Sequence, residues 1–313
     1  MARLEQYGGT PVGASPSRLD TALGGAAILL WSTTVAVGRS LTEKLGPLTA
    51  PAAIFLLGGG IGIVLRRLGG RQRAAPPRPA VDPRYLWGCG ALFAGYQACL
   101  YLALGLAQDR AQVLGVALAN YLWPMLTLLL SVSLLRLRAR PWLVPGALLA
   151  TAGVALAVTE GAPLTWASLR SSLATSGLPY ALGAGAAVLW ALYSVLARAW
   201  ASDRDAVPAF MVATAAVLGA GRFLTGEVSR WTGRGVAELG FMALGSSLAY
   251  MFWDRAVRKG DIVLVAAASY LTPLLSSALI ALYLGVAPGP RLWLGGVLVV
   301  VGAAVCRLSV GAN

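Results

Sequence analysis

Histidine is absent from all 313 residues. That one absence removes Ser-His-Asp and Cys-His nucleophilic chemistry and the histidine-ligated metalloproteases. An enzyme is therefore not expected, and neither is a cofactor or a metal site. Cysteine is almost as scarce: Cys89, Cys99 and Cys306 fall inside apolar runs, with no disulfide framework and no metal-ligand spacing. Charge is thin, at 12% of residues, where a soluble domain carries roughly a quarter. The acidic residues all lie in loops or near the ends of apolar runs. The deep carboxylate or histidine that usually carries protons through a membrane is thus lacking. Asp254 is the deepest acid, and Arg255 and Arg258 beside it suggest an ordinary surface ion pair. Proton coupling is not expected on these grounds, and facilitated diffusion is the simpler mechanism.

What is abundant is apolar surface. Hydrophobic residues make up 58% of the chain and the mean hydropathy is +0.72, which marks an all-α integral membrane protein. The net charge of +13 would suit a nucleic-acid partner, but nearly all the arginines sit between apolar runs, where membrane topology already requires them. No nucleic-acid partner is expected; the bilayer is. Residues 1–18 are polar, and no apolar segment with a cleavage site precedes them, so no cleaved signal peptide is expected. Gly58–Gly62 and Gly88–Gly90 lie within apolar runs and read as close helix packing rather than nucleotide loops.

Runs of about 20 apolar residues suit membrane helices. Ten are expected, near 19–38, 49–66, 85–107, 111–135, 142–159, 178–200, 207–224, 236–257, 262–285 and 291–308. Ten spans place both termini on one side. The loops and span ends on that side hold 17 of the 25 Lys and Arg residues, so the positive-inside rule puts both termini in the cytoplasm.

The chain also repeats. At an offset of 149, Tyr101 matches Tyr250, Gly146 matches Gly295 and Gly153 matches Gly302; at 159, Gly24 and Trp31 match Gly183 and Trp190. Two five-helix repeats follow, 19–160 and 178–308, joined by a linker at 161–177, which is either a plain connection or interfacial, and followed by a tail at 309–313. An odd number of spans per repeat inverts the second relative to the first, the arrangement that suits alternating access.

The offset of 149 also pairs two cassettes, Asn120-Tyr121-Leu122-Trp123-Pro124 and Ser269-Tyr270-Leu271-Thr272-Pro273. Pro124 and Pro273 each delete a backbone donor inside a span, freeing the carbonyls of Asn120 and Ser269. Matched polar breaks in two halves of a membrane chain point to a substrate site. Asn120, Trp123 and Thr127 form one helical stripe, and Ser269, Thr272 and Ser276 the equivalent one. Trp31, Trp123 and Trp190 lie at depth, although tryptophan prefers the interface. Tyr96, Tyr101, Tyr193 and Tyr250 add aromatic surface. These residues either line a polar cavity or pack the bundle, with Asn120 as interhelical glue. As a cavity they would be wet, aromatic and uncharged, suited to a zwitterion with an aromatic side chain. Phosphate-bearing substrates such as nucleotide sugars fit less well, since no lysine or arginine lies clearly at a span centre.

The repeat of five spans and the two proline cassettes resemble the EamA branch of the drug/metabolite transporter superfamily. Leu30-Trp31-Ser32-Thr33 and both cassettes are similar to those of its YddG-type aromatic amino-acid exporters. The resemblance implies an inner-membrane exporter of phenylalanine, tyrosine and tryptophan, tolerant of related molecules and some drugs. It implies a central cavity lined by the helices that carry Trp31, Asn120, Trp123, Trp190, Ser269 and Ser276. A monomer is expected. Efflux of cationic aromatic drugs or other metabolites, proton-coupled or not, is the alternative, and a membrane scaffold in which the tryptophans only pack is a third reading.

Overall fold

Polar caps and prolines cut the apolar chain into helices. The computed structural model describes residues 16–71, 81–159, 167, 170, 177–200, 205–284 and 289–310. The expected N-terminal segment up to residue 15, residues 72–80 of the arginine-rich loop, nearly all of the 161–177 linker and the last three residues of the tail lie outside them. Among the described residues no strand forms; one isolated bridge joins Ala139 to Val310.

Helix α1 spans Arg18–Leu45, opened by the Ser17 hydroxyl, which accepts the Asp20 N–H at 3.3 Å. It stops at Gly46, whose φ of 98° is strained for any residue with a Cβ. α2 (Thr49–Arg71) is capped from a distant loop: the Glu227 carboxylate accepts the N–H groups of Leu48 and Thr49, each at 2.9 Å. α3 (Arg84–Leu106) opens with a π-helical turn at Arg84–Cys89. α4 (Arg110–Asn120) and α5 (Trp123–Leu134) occupy one expected span, broken at the first cassette. α6 (Leu143–Val158) completes the first repeat. In the second, α7 is Leu178–Trp200, α8 Val207–Thr225 and α9 Gly233–Lys259. α10 (Ile262–Ala268) and α11 (Leu271–Leu284) are split at the second cassette, and α12 is Pro290–Ser309.

Among the described residues, seven segments are long and apolar enough to cross a membrane: Thr49–Leu68, Arg84–Leu106, Gln112–Leu134, Leu178–Trp200, Gly233–Lys259, Ile262–Leu279 and Pro290–Ser309. Leu143–Val158 and Val207–Phe223 are apolar but shorter. Leu56, Trp142, Val297 and Val300 are among the apolar side chains left on the outside, where lipid rather than water suits them.

The repeats pack on each other at the positions their sequence offsets pair. α6 lies against α12, and a Cβ on Gly153 would come 2.6 Å from the Gly295 carbonyl. A Cβ on Gly302 would come 2.6 Å from that of Gly146. The low position of each helix thus meets the high position of the other, so the two run antiparallel, held close by residues without side chains. The same exchange recurs elsewhere. Gly24 of α1 abuts Val265 of α10, and its counterpart Gly183 of α7 abuts Val116 of α4, the counterpart of Val265. α1 packs on α9 as α3 packs on α7.

Candidate functional site

Each cassette terminates a helix, because proline cannot continue the hydrogen-bond ladder. Tyr121 N–H still reaches the Ala117 carbonyl at 2.8 Å, Leu122 N–H turns back to Ala119 at 3.3 Å, and α5 restarts at Trp123. In the second cassette Thr272 N–H donates to the Ser269 carbonyl at 3.0 Å. That carbonyl, expected to be freed by Pro273, is instead taken up by a tighter turn. The Thr272 carbonyl accepts the Ser32 hydroxyl of α1 at 3.3 Å, tying the break to the neighbouring repeat.

Between the two breaks and the middle of α1, α3 and α9 lies a cavity of about 1050 Å³. Trp31, Tyr96, Asn120, Trp123, Trp190 and Thr272 line it, together with Tyr101, Tyr121 and Tyr250. Its aromatic walls interlock. Trp31 stands 5.9 Å from Trp190 and 5.6 Å from Tyr250, and Tyr96 lies 4.7 Å from Trp190, centre to centre. Trp253 is fully buried behind them, 5.3 Å from Trp31, with its N–H donating to the Ser194 hydroxyl at 3.1 Å.

Several buried polar atoms here have no hydrogen-bond partner: Trp31 Nε1, Asn120 Oδ1 and Thr272 Oγ1 on the lining, and Ser276 Oγ on α11. The Asn120 side chain pairs with the Tyr96 hydroxyl, which leaves its Oδ1 over. Buried polar groups in native proteins are nearly always satisfied, so a donor and an acceptor without partners on one cavity wall mark a place where a polar ligand would complete the hydrogen bonding.

Not every expected residue reaches this cavity. Thr127 is fully buried, its hydroxyl donating to the Trp123 carbonyl at 2.7 Å. A continuous helix would have put it on the Asn120 stripe, but the restart at Trp123 changes the register. Ser269 donates to the Ala266 carbonyl at 2.6 Å, and neither it nor Ser276 is on the lining. Pro124 and Pro273 are buried behind their breaks. The sequence reading missed Tyr121 and the residues of the mouth. Tyr121 lies inside the cassette itself, and allowing for a broken helix there would have put it in play.

The cavity runs to one end of the bundle. There it is bordered by Thr34, Gly38 and Thr42 of α1, Leu104 of α3, and the exposed Glu43, Gln108 and Asp109. Glu43 and Asp109 are the charged residues on the lining, which holds no lysine or arginine among the described residues. The opposite end, where α1 begins, is packed shut. Ser17 N–H donates to the Lys259 carbonyl at 3.1 Å, and the Arg198 guanidinium donates to the carbonyls of Val257 and Gly260 at 3.0 and 2.7 Å. Arg255 pairs with Asp20, and Arg307 with Asp261. Asp254 is not in a surface ion pair, as its position near a span end suggested. It is 0% exposed, paired with Arg258 at 2.7 Å, and its other oxygen accepts the hydroxyls of Tyr85 and Tyr193 at 2.9 Å each. Those tyrosines come from α3 and α7, which no local reading of α9 reveals.

The pattern of the EamA-like transporter family matches the chain twice, over residues 22–159 and 177–308. The chain belongs to the EamA-like transporter family. Its duplicated EamA domain corresponds to the sequence repeat, and it is a multi-pass membrane protein. The chain is 34% identical to the aromatic amino acid exporter YddG of Salmonella typhimurium, over 94% of this chain and 98% of that one. It is 33% identical to the protein of the same name from Escherichia coli, over 92% and 97%. With that from Ancylobacter novellus it shares 35%, over 92% and 96%. A solved structure titled only "Crystal structure of protein" superposes with a TM-score of 0.75 at 32% identity, covering 93% of this chain and 99% of the other.

Proposed function

We propose that this EamA-family protein is an exporter of aromatic amino acids in the bacterial inner membrane, a transporter and not an enzyme. One observation carries the reading: an aromatic-walled cavity, open at one end only, with an unpaired indole N–H, amide oxygen and hydroxyl on its walls. The side chain of the substrate lies among Trp31, Tyr96, Trp190 and Tyr250. Its ammonium is taken by Asn120 Oδ1 and by the aromatic faces, and its carboxylate by Trp31 Nε1 and Thr272. Trp123 shapes the floor, and Pro124 and Pro273 let each break flex. Thr127, Ser269 and Ser276 act from behind the lining, as supports. The relatives named as aromatic amino acid exporters support this substrate class.

The membrane arrangement completes the reading. The seven long apolar segments, the two shorter ones and α1 make ten spans, in two inverted repeats with the boundaries read from the sequence. The antiparallel glycine contacts between α6 and α12 are what an inverted pair requires. With both termini in the cytoplasm, the mouth at Glu43 and Asp109 faces outward. Alternating access follows when the repeats exchange conformations. The protein works as a monomer and without an ion gradient. A second reading, proton-coupled efflux of cationic aromatic molecules, is favoured by one observation, the burial of Asp254.

Uptake of labelled tryptophan into liposomes holding the purified protein, with and without a pH gradient, tests both. Gradient-independent uptake competed by phenylalanine and tyrosine supports the facilitator. Uptake that needs the gradient keeps the amino-acid substrate and overturns the uncoupled mechanism. No uptake from folded protein under either condition overturns the amino-acid reading and favours efflux of cationic aromatic molecules.

A further inference from the structure

The buried cluster at the packed end has the wrong chemistry for a plain plug. Apolar packing would close the bundle without desolvating charge, and a buried ion pair is weak evidence of stabilisation. Here Asp254 and Arg258, with side chains 0% and 5% exposed, sit one turn apart on α9. Tyr85 and Tyr193 donate to the carboxylate, Tyr85 also accepts the Ala206 N–H at 3.2 Å, and the Arg258 guanidinium stands 5.6 Å from the centre of the Tyr85 ring. Among the described residues, nearby charges from other elements include Asp205, which acts electrostatically on both members of the pair, Arg66, 3.9 Å from Asp205, and Asp82, which acts with the pair on Cys89. Tyr193 also lies 5.0 Å from Trp190, which lines the cavity. One aromatic layer thus separates the cavity, whose lining supplies no cation among the described residues, from a guanidinium and a carboxylate held side by side.

The repeat says where this cluster goes when access alternates. Thr34, Leu104 and Gln108 border the mouth. Their counterparts at the sequence offsets of 159 and 149 are Tyr193, Trp253 and Val257, all fully buried around Asp254. When the two repeats exchange conformations, those three residues become the border of a mouth at the other end; Arg258, the counterpart of Asp109 on the present lining, joins its wall, and Asp254 lies one turn behind it. A free amino acid carries the same two charges as the pair. Its carboxylate can take Arg258 and its ammonium can take Asp254, so that the pair separates without leaving either charge unpaired.

We propose that Asp254 and Arg258 form an entry site for zwitterions on the side of the chain termini, where the ammonium and carboxylate of the substrate replace the ion pair and so admit amino acids over singly charged aromatics. This rests on the transport reading above and adds a selection step to it.

The test uses the full-length protein in liposomes, with labelled tryptophan, tryptamine (ammonium only) and indole-3-propionate (carboxylate only). In the wild type each singly charged analogue is expected to be carried about 30-fold less efficiently than tryptophan, or worse. Tryptamine carried as well as tryptophan overturns the proposal. In the Asp254→Asn/Arg258→Gln double variant the preference for tryptophan over tryptamine is expected to fall by about tenfold, whereas a mere latch changes all three rates together and keeps the ratio. Should that variant fail to fold, Arg258→Lys decides, because it keeps the buried charge but loses the fork that grips a carboxylate. It is expected to slow tryptophan and indole-3-propionate while sparing tryptamine, and equal loss for all three contradicts the proposal. Folded wild-type protein that carries no tryptophan at all fails the transport reading itself, and the entry site with it.

Discussion

The two ends of the bundle are held by different kinds of contact. At the mouth, three ties among the described residues stay within one wall. Glu227 caps α2, the Ser229 hydroxyl donates to the Leu45 carbonyl at 2.7 Å, and Lys44 pairs with Glu238 at 2.7 Å, all fastening the α1–α2 corner to the α8–α9 side. None of these contacts crosses the cavity to α3 or α4. At the packed end the ties do cross: Tyr85 of α3 and Tyr193 and Arg198 of α7 all bond to α9 or to the turn after it. The three ties at the open end lie along the wall, whereas the bonds at the other end lie across it and hold it shut. Under the proposed transport cycle, alternating access exchanges those two patterns.

Breaking the crossing contacts should have the largest effect. Arg258→Ala leaves a fully buried carboxylate without its cation, and is expected to cost about 3–5 kcal/mol of stability. Thermal unfolding in detergent checks this, with the Asp254→Asn/Arg258→Gln double variant expected to lose clearly less. Gly260→Ala acts on the same end by crowding. The new Cβ would meet the Ala256 carbonyl at 2.7 Å and the Thr21 nitrogen at 2.9 Å. We expect about 1–3 kcal/mol of destabilisation confined to the packed state, seen as faster labelling of a cysteine placed at Val257.

Changes in the cavity and at the mouth should spare the fold. Asn120→Ala removes an oxygen that has no partner together with one bond to the Tyr96 hydroxyl, so only a small drop in melting temperature is expected while tryptophan flux falls about tenfold, the worth of one hydrogen bond to a charged group. Unfolding of this variant would instead make Asn120 structural. Asp109→Asn is expected to do least. Asparagine still accepts the Gln112 N–H that Asp109 now takes at 2.8 Å, and only a mouth charge is lost. A small drop in tryptamine affinity that disappears in high salt is the expected result.

The sequence made the punctuation of this fold legible. The prolines and the offset of 149 marked both helix breaks, because a missing donor acts locally and needs no knowledge of neighbours. The same offset found Gly146, Gly153, Gly295 and Gly302, which turn out to pack on one another. Contacts that depend on partners far along the chain were not legible. Asp254 reads as a span-end acid beside two arginines. Its burial comes from Tyr85 and Tyr193, 169 and 61 residues away, and Arg255 turns to Asp20 instead. Thr127 failed for another reason: helical periodicity was carried through a cassette where the helix actually restarts. Among the candidate residues, those of the aromatic set that lie deep in their spans come together on the cavity, because a large ring at depth needs a partner wherever it lies.

The most direct test of the exchange between the two ends is cysteine labelling from each side of the membrane. Gln108→Cys and Val257→Cys would be made singly, with Cys89, Cys99 and Cys306 replaced. Gln108→Cys is expected to react at once from outside, and Val257→Cys to be protected until tryptophan is supplied, then to react from the cytoplasmic side as protection at Gln108 rises. Labelling at both positions that ignores tryptophan, or reactivity at both ends together, would contradict alternating access through this cavity.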